Sequence, residues 1–180
     1  GEVYERKVTF IVRDEQSRPI SGAQVVFNGE FKYTDSSGNA IFNAFPGLYP
    51  YTVSKEDYYT VSKNINVQDD QSEPVELVLI PLYNLTFNVT NSSTGAVESA
   101  NVTLVAKERS AEDKILYSES RRTGSDGKAV FNNLLGGDYT YMVEKQNWIP
   151  VNGEVTVDRD KEVPVSFNPM PTYNMTFTVN

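Results

Sequence analysis

The 180-residue chain contains no cysteine, no histidine and a single tryptophan. Without cysteine it has no disulfide, no thiolate nucleophile and no thiolate metal site. Without histidine it lacks the most common general base and the most common zinc ligand. Any catalytic mechanism would have to use carboxylates, lysine or tyrosine, so the composition favours a protein that is not an enzyme.

Positive charge is also scarce, with 16 Lys and Arg against 24 Asp and Glu and a formal net charge of −8. Nucleic acids and anionic lipid surfaces attract basic proteins, so the charge balance argues against both as partners. No apolar run approaches the roughly 18 residues of a membrane-spanning helix, which argues against membrane insertion of this segment. No signal-peptide segment stands at the start, and we expect a targeting segment to have been removed ahead of Gly1.

The chain contains an internal sequence repeat. GLYPYTV at residues 47–53 returns as GDYTYMV about 90 residues further on, and PLYNLTF at 81–87 returns in the same way as PTYNMTF. A period of this length is long enough for an autonomous domain with its own core. The repeat predicts module one at residues 1–81, module two at residues 82–171, and the start of a third repeat at residues 172–180.

Within each module, hydrophobic and polar residues alternate with a period of two, as in Val8, Phe10 and Val12. Turn signals separate short runs, a pattern typical of a β-sandwich or a Greek-key barrel. We predict about seven strands per module, with the last strand of module one at Val75–Leu79. The predicted fold class is all-β: a tandem of two Greek-key, prealbumin-like or Ig-like sandwiches plus the first strand of a third.

Module two carries an insertion of about 12 residues after Leu104, and its charged stretch at residues 107–114 is followed by Ile115, Leu116 and Tyr117. The insertion predicts a lengthened hairpin with a solvated tip, or alternatively a contact arm. The junction between the modules contains Pro81 and no flexible Gly/Ser linker, so we expect it to be semi-rigid. The strand that opens the third repeat is expected to pair with an exposed sheet edge.

The motifs TDSSGNAIF at residues 34–42 and TGSDGKAVF at 123–131, each followed by an aromatic strand, resemble the bacterial prealbumin-like sandwich group. That group includes the Cna protein B-type domains of surface adhesins and the carboxypeptidase regulatory-like domains. The resemblance covers nearly the whole chain. It implies a non-enzymatic stalk, spacer or adhesin segment of a secreted or cell-surface bacterial protein, with the periplasm as an alternative location. The implied partners are the neighbouring domains of a longer chain and a surface glycan or host protein.

Cna-type domains form an isopeptide cross-link between a first-strand lysine and a last-strand asparagine, beside a buried acid on the aromatic strand. Module one has Lys7, but Ser54 stands at the position of the acid and the predicted last strand has no asparagine. Module two has Glu144 and Asn168, but its first strand has no lysine. We therefore expect no cross-link in either module.

Several acidic residues are candidates for metal or catalytic sites. The turns at residues 35–38 and 125–127 contain the Asp and Gly of a hairpin turn and lack the regularly spaced acids of a calcium loop. Glu56 and Asp57 are adjacent, so a strand would point them to opposite faces, which does not suit a paired-carboxylate glycosidase. We predict no metal, no cofactor and no catalytic residue.

Aromatic residues are the best candidates for ligand contact. Tyr58 and Tyr59 follow the aromatic strand of module one, and Trp148 and Ile149 occupy the matching positions of module two. Exposed rings at equivalent positions supply large contact areas at low entropic cost, so Tyr58, Tyr59 and Trp148 are the candidate ligand-binding residues. A carbohydrate-binding accessory module is therefore the alternative function. The other interpretation is that one ring of each pair closes the end of its own sandwich.

Overall fold

The structure is a computed structural model, and it describes residues 3–172 and 178–179. The chain divides into two compact units, Gly1–Ile80 and Pro81–Asn180. Both units are built from strands, and no helix in the described part of the chain is long and apolar enough to cross a membrane. Most of the predicted opening strand of a third repeat, residues 173–177, lies outside the described residues.

The first unit has seven strands: β1 Arg6–Arg13, β2 Gln24–Phe27, β3 Glu30–Tyr33, β4 Asn39–Ala44, β5 Gly47–Ser54, β6 Val61–Val67 and β7 Gln71–Glu76. They form two sheets with the orders β4-β1-β7 and β3-β2-β5-β6. Every pair is antiparallel except β1 and β7, which run parallel. Buried side chains from both sheets share one core, so the unit is a sandwich.

The second unit repeats this plan with one added strand. Its strands are β8 Leu82–Asn91, β9 Gly95–Ala96, β10 Asn101–Ala106, β11 Ser118–Arg122, β12 Lys128–Leu135, β13 Gly137–Glu144, β14 Val151–Val157 and β15 Lys161–Ser166. The sheet orders are β12-β8-β15, with β9 against β8, and β11-β10-β13-β14. Here β8 and β15 are the parallel pair. The predicted all-β sandwich fold is confirmed.

The first strand of each unit carries the centre of its core. Val8, Phe10 and Val12 are fully buried, and so are their counterparts in β8, Leu85, Phe87 and Val89. The Phe10 ring meets Phe27 and Tyr51 edge-on, with ring centroids 5.3 and 4.9 Å apart. Such edge-to-face pairs contribute about 0.5–1.5 kcal/mol beyond the area that they bury. The alternation seen in the sequence is therefore the alternation between core and solvent.

The predicted position of the last strand was wrong. Strand β7 begins at Gln71 and ends at Glu76, whereas the apolar run had predicted Val75–Leu79. Because β7 lies at the edge of its sheet and faces solvent on one side, only Val75 within it is buried. The edge position also accommodates Pro74, which has no backbone N–H to donate to a neighbouring strand.

A two-residue turn joins β2 to β3. Asn28 and Gly29 both have positive φ, 51° and 76°, as a type I′ hairpin turn requires. Phe27 pairs with Glu30 directly across this turn. Strand β3 was not among the predicted strands: all four of its residues are exposed, so its alternation of polar and aromatic residues marks no core face.

In the second unit the insertion replaces that turn. The predicted lengthened hairpin is present: residues 107–117 lie between β10 and β11, and an isolated bridge joins Arg109 to Ile115. The Ser110 N–H donates to the Lys114 carbonyl at 3.0 Å and closes the tip. We call residues 107–117 the hairpin arm.

A buried threonine hydroxyl holds the loop that precedes β2 in the first unit, and another holds the loop that precedes β10 in the second unit. The Thr34 hydroxyl donates to the Ile20 carbonyl at 2.6 Å and accepts the Ala23 N–H at 2.9 Å. Thr123 makes the same two bonds, to the Val97 carbonyl and from the Ala100 N–H. Both hydroxyl groups are satisfied without water, so each threonine holds its loop against the core.

Replacing Thr34 with valine should destabilise the first unit by about 1–3 kcal/mol, because the buried Ala23 N–H loses its acceptor. Urea unfolding followed by circular dichroism measures this change. Thr34→Ser is the matched control, since it keeps the hydroxyl and should stay close to wild type. Equal losses of unfolding free energy in Thr34→Val and Thr34→Ser would show that the hydrogen bonds of the hydroxyl group do not account for the effect.

Alkaline pH should also weaken the first unit. Burial, together with the nearby Glu73 carboxylate, raises the pKa of Tyr51 to about 12. The folded protein therefore favours the neutral phenol, and this contribution is present in full below the ordinary pKa of 10.0 and lost as the pH rises to about 12. Unfolding free energies measured across this range should fall more steeply for wild type than for Tyr51→Phe. Parallel curves of unfolding free energy against pH for the two proteins would contradict the assignment of this effect to Tyr51.

Candidate functional site

The candidate aromatic residues lie on a turn that is repeated at one end of each sandwich. The Tyr58 N–H donates to the Lys55 carbonyl at 3.1 Å, and the Trp148 N–H donates to the Lys145 carbonyl at 2.9 Å. The residue before each aromatic has positive φ, 71° at Asp57 and 67° at Asn147. The two modules therefore build the same tight turn from different residues.

This turn is hydrogen-bonded to the segment that follows the last strand. In the first unit the Tyr59 N–H donates to the Val78 carbonyl at 2.9 Å, and the Ile80 N–H donates to the Asp57 carbonyl at 2.8 Å. In the second unit the equivalent bonds run from Ile149 to Asn168 at 2.9 Å and from Met170 to Asn147 at 2.7 Å. We call this arrangement the exit clamp, because it holds the chain where it leaves each sandwich.

The first aromatic of each pair packs against its own core. The Trp148 ring stacks on the fully buried Phe167, with centroids 4.9 Å apart and an interplanar angle of 18°. Tyr58 is half-buried against the core of the first unit. The second positions are more open, with Tyr59 52% and Ile149 47% exposed. The packing is that of a ring closing the sandwich end, and ligand binding by Tyr58, Tyr59 and Trp148 stays a prediction.

An open cleft lies beside each exit clamp, at the same place in both folds. In the second unit its lining includes Asn101, Arg122, Glu144 and Trp148. In the first unit it is lined by Gly22, Gln24, Tyr33, Ser54, Lys55, Glu56 and Asp57. Arg122 and Glu144 thus occupy the positions of Tyr33 and Ser54. At these two positions the first unit presents an aromatic ring and a hydroxyl group, whereas the second unit presents a guanidinium and a carboxylate.

Sequence reasoning missed two exposed aromatic residues of the first unit. Phe31 and Tyr33 are 60% and 61% exposed on the edge strand β3, and their rings meet edge-on at 6.0 Å. The available signal was their spacing of two, directly after the Asn28-Gly29 turn. They face outward together with Val26 and Gln24, their partners on β2.

The acidic turns serve the backbone. The Asp35 carboxylate accepts the N–H groups of Ser37 and Asn39, both at 2.9 Å, and the Asp126 carboxylate accepts the Lys128 N–H at 3.0 Å. These are the bonds by which an aspartate stabilises a turn. Within residues 3–172 and 178–179 there is no group of three or more potential metal-binding side chains.

The residues considered for a cross-link do not meet in a core. Lys7 is exposed on β1, where its side chain points away from the neighbouring core residue Val8. Glu144 and Asn168 are exposed as well, and the Asn168 side-chain oxygen accepts a bond from Asn91 at 3.3 Å. Apart from Asn91, the buried positions of both first strands are apolar, and none of them is a lysine.

Comparison with known proteins gives matches by structure. No protein-family model matches the chain, and no curated protein matches it by sequence. The Streptococcal ancillary pilin superposes with a TM-score of 0.58 and 17% identity over 93% of this chain. The fold is that of a pilin-type β-sandwich. The resemblance to bacterial prealbumin-like sandwiches is thereby supported at the level of the fold.

This chain spans 63% of the length of that pilin chain. The minor pilin of Streptococcus agalactiae matches with a TM-score of 0.49 and 13% identity, over 96% of this chain and 100% of its own. The Bacillus anthracis TIE protein matches with a TM-score of 0.45 and 15% identity, over 91% of this chain and 34% of its own.

Intact mass spectrometry tests the predicted absence of an isopeptide bond. Because Lys7 faces solvent and β8 has no lysine, the measured mass should equal the mass of the sequence. Condensation of a lysine with an asparagine would release one ammonia per module. A mass lower by one or two ammonia molecules would contradict the prediction.

Proposed function

We propose that this chain is a pair of load-bearing structural modules of a bacterial surface protein, a stalk or pilus-like fibre. The proposal is supported by the pilin-type fold and by the closed, separate core of each unit. Its partners are the neighbouring domains of a longer chain, and its location is the cell surface. The observation that carries it is the direction of the first and last strands.

In each unit the first and last strands are parallel neighbours. Their register runs from Val8–Gln71 to Arg13–Glu76 in the first unit, and from Leu85–Lys161 to Thr90–Ser166 in the second. The chain therefore enters each sandwich at one end and leaves it at the other. Tension applied through the chain acts along the strands, so the ladder bonds between the pair are loaded together in shear.

The exit clamp strengthens this arrangement. In the first unit, tension that reaches Ile80 must first break its bond to Asp57 and the bond from Tyr59 to Val78. The packed rings of Tyr58 and Trp148 anchor the two clamps to their cores. The repeated turn thereby acquires a mechanical role that needs no ligand.

A finer role as an adhesin segment, which contacts a host protein or a surface glycan, is part of the same proposal. The exposed Tyr59, Phe31 and Tyr33 rings support contacts of this kind. A carbohydrate-binding accessory module is the alternative function. It has less support, because Tyr58 and Trp148 give much of their ring area to their own cores.

Single-molecule force spectroscopy on the full chain tests the load-bearing role. The absence of cysteine allows handles to be attached at chosen residues. Handles at Val3 and Leu79, which are 72% and 53% exposed, load β1 against β7 in shear. Handles at Val3 and Phe45 pull β1 from β4 at the end where Arg6 faces Ala44.

The shear geometry should require a higher force than the second geometry, because ladder bonds that are loaded together share the tension and do not break one after another. Similar forces in the two geometries would count against a load-bearing design. Handles at Val3 and Val179, which is 93% exposed, load both units in one trace. In that geometry Trp148→Ala should lower the force needed to unfold the second unit and leave the force for the first unit unchanged. The first unit then provides an internal control in every trace.

A further inference from the structure

The hairpin arm covers a cavity that the repeat plan does not require. The cavity has a volume of about 260 Å³ and lies between the arm and the start of β13. Leu116 and Tyr117 of the arm form one wall, and Leu134, Leu135 and Tyr139 form the other. The Tyr117 and Tyr139 rings meet edge-on at 5.9 Å, so the base of the arm is fixed by packing.

Hydrogen bonds hold both walls in place. The Ala106 N–H donates to the Tyr117 carbonyl at 3.0 Å, which ties the arm to β10. The Tyr139 hydroxyl donates to the Leu135 carbonyl at 2.6 Å, which fixes the opposite wall. The cavity is therefore formed in the protein without a ligand.

Two acidic residues, Glu108 and Asp138, also line this apolar cavity. Within the described part of the chain, neither has an ion-pair partner within 4.0 Å. The nearby Lys107 ammonium is instead paired with Glu154 at 3.2 Å. The Asp138 carboxylate accepts one bond, from the Thr156 hydroxyl at 2.5 Å. Negative charge is thus left unneutralised beside leucine and tyrosine side chains.

Leucine and tyrosine walls beside two acidic residues without ion-pair partners match one kind of ligand group: a long aliphatic stem that ends in a cation. Lysine and arginine side chains have this form, since their stems pack on apolar surface while the charged head reaches a polar region. Tyrosine rings add attraction for a cation that passes over them. We propose that this cavity binds a lysine or arginine side chain of a partner polypeptide, so that the hairpin arm makes a lateral contact.

The first unit offers a natural comparison within the same molecule. Its Asn28-Gly29 turn leaves no arm, and Leu48 stands at the position of Asp138. Tyr49 matches Tyr139 and packs against Phe27, with centroids 5.3 Å apart. The proposed site therefore depends on the insertion and on Asp138, both specific to the second unit. The inference adds a binding role and does not depend on the load-bearing role proposed above.

The test is a titration of the isotope-labelled full chain, followed by NMR. The probe is a capped pentapeptide with a central lysine flanked by alanines, compared with versions that carry arginine or the uncharged norleucine at the centre. We expect saturable shifts at Leu116, Tyr117 and Leu135 with lysine or arginine, and at least about tenfold weaker binding with norleucine. The resonances of Leu48 and Tyr49 should stay in place and report non-specific effects.

Variants separate the site from general attraction to an acidic protein. The double variant Glu108→Gln and Asp138→Asn keeps the shape of both side chains and should weaken lysine binding at least about tenfold. Glu112→Gln removes the same type of charge from the exposed tip of the arm and should leave binding unchanged. The spectrum of each variant shows directly whether it is folded.

Three results would overturn the inference. Equal binding of the lysine and norleucine peptides would show that the cavity is purely apolar. Equal weakening by Glu112→Gln and by the double variant would show diffuse electrostatics. Butylamine binding as tightly as the peptide would show that the site takes a free amine and not a polypeptide. None of these results bears on the force measurements, so the two proposals can fail separately.

Discussion

Each sandwich depends on the parallel pairing of its first strand with its last. The first strand is the middle of its sheet, so β1 needs both β4 and β7 before its two edges are satisfied. Contacts between residues this far apart in the chain form slowly, because a long loop must close first. The pairing buries Phe10 and Phe87 and also sets the direction in which each unit resists tension. Stability and the proposed mechanical role therefore rest on the same ladder.

Around this common frame the two units differ at their surfaces. The buried hydroxyls of Thr34 and Thr123 and the exit clamps recur with equivalent partners, because each satisfies backbone groups that the sandwich cannot leave unpaired. The hairpins beyond β2 and β10 face solvent, so water can satisfy their backbone groups and their sequences can vary. One is a two-residue turn and the other is the hairpin arm, which creates a cavity with its own chemistry. The surfaces of the two modules therefore differ at these hairpins, where the backbone of the sandwich does not restrict the sequence.

The sequence predicted the repeat, the sandwich and the inward residues of the first strands, because alternation and turn residues report directly on burial. It misplaced the last strand: the polar Gln71–Glu76 segment pairs through its backbone, and this pairing leaves little trace in the side chains. It missed β3 because all four residues of this strand are exposed, so its side chains give no sign of a buried face.

The sequence by itself determined that this protein is a tandem of β-modules without cysteine or histidine chemistry, since composition and period are local properties of the chain. Only the tertiary structure decided which groups the candidate residues contact. Trp148 stacks on Phe167, and Tyr58 packs against the core of its own unit. Glu108 and Asp138 lie 30 positions apart in the chain and showed no pattern in the sequence. They line one cavity because the hairpin arm folds back onto β13, a contact between distant segments that no local pattern encodes.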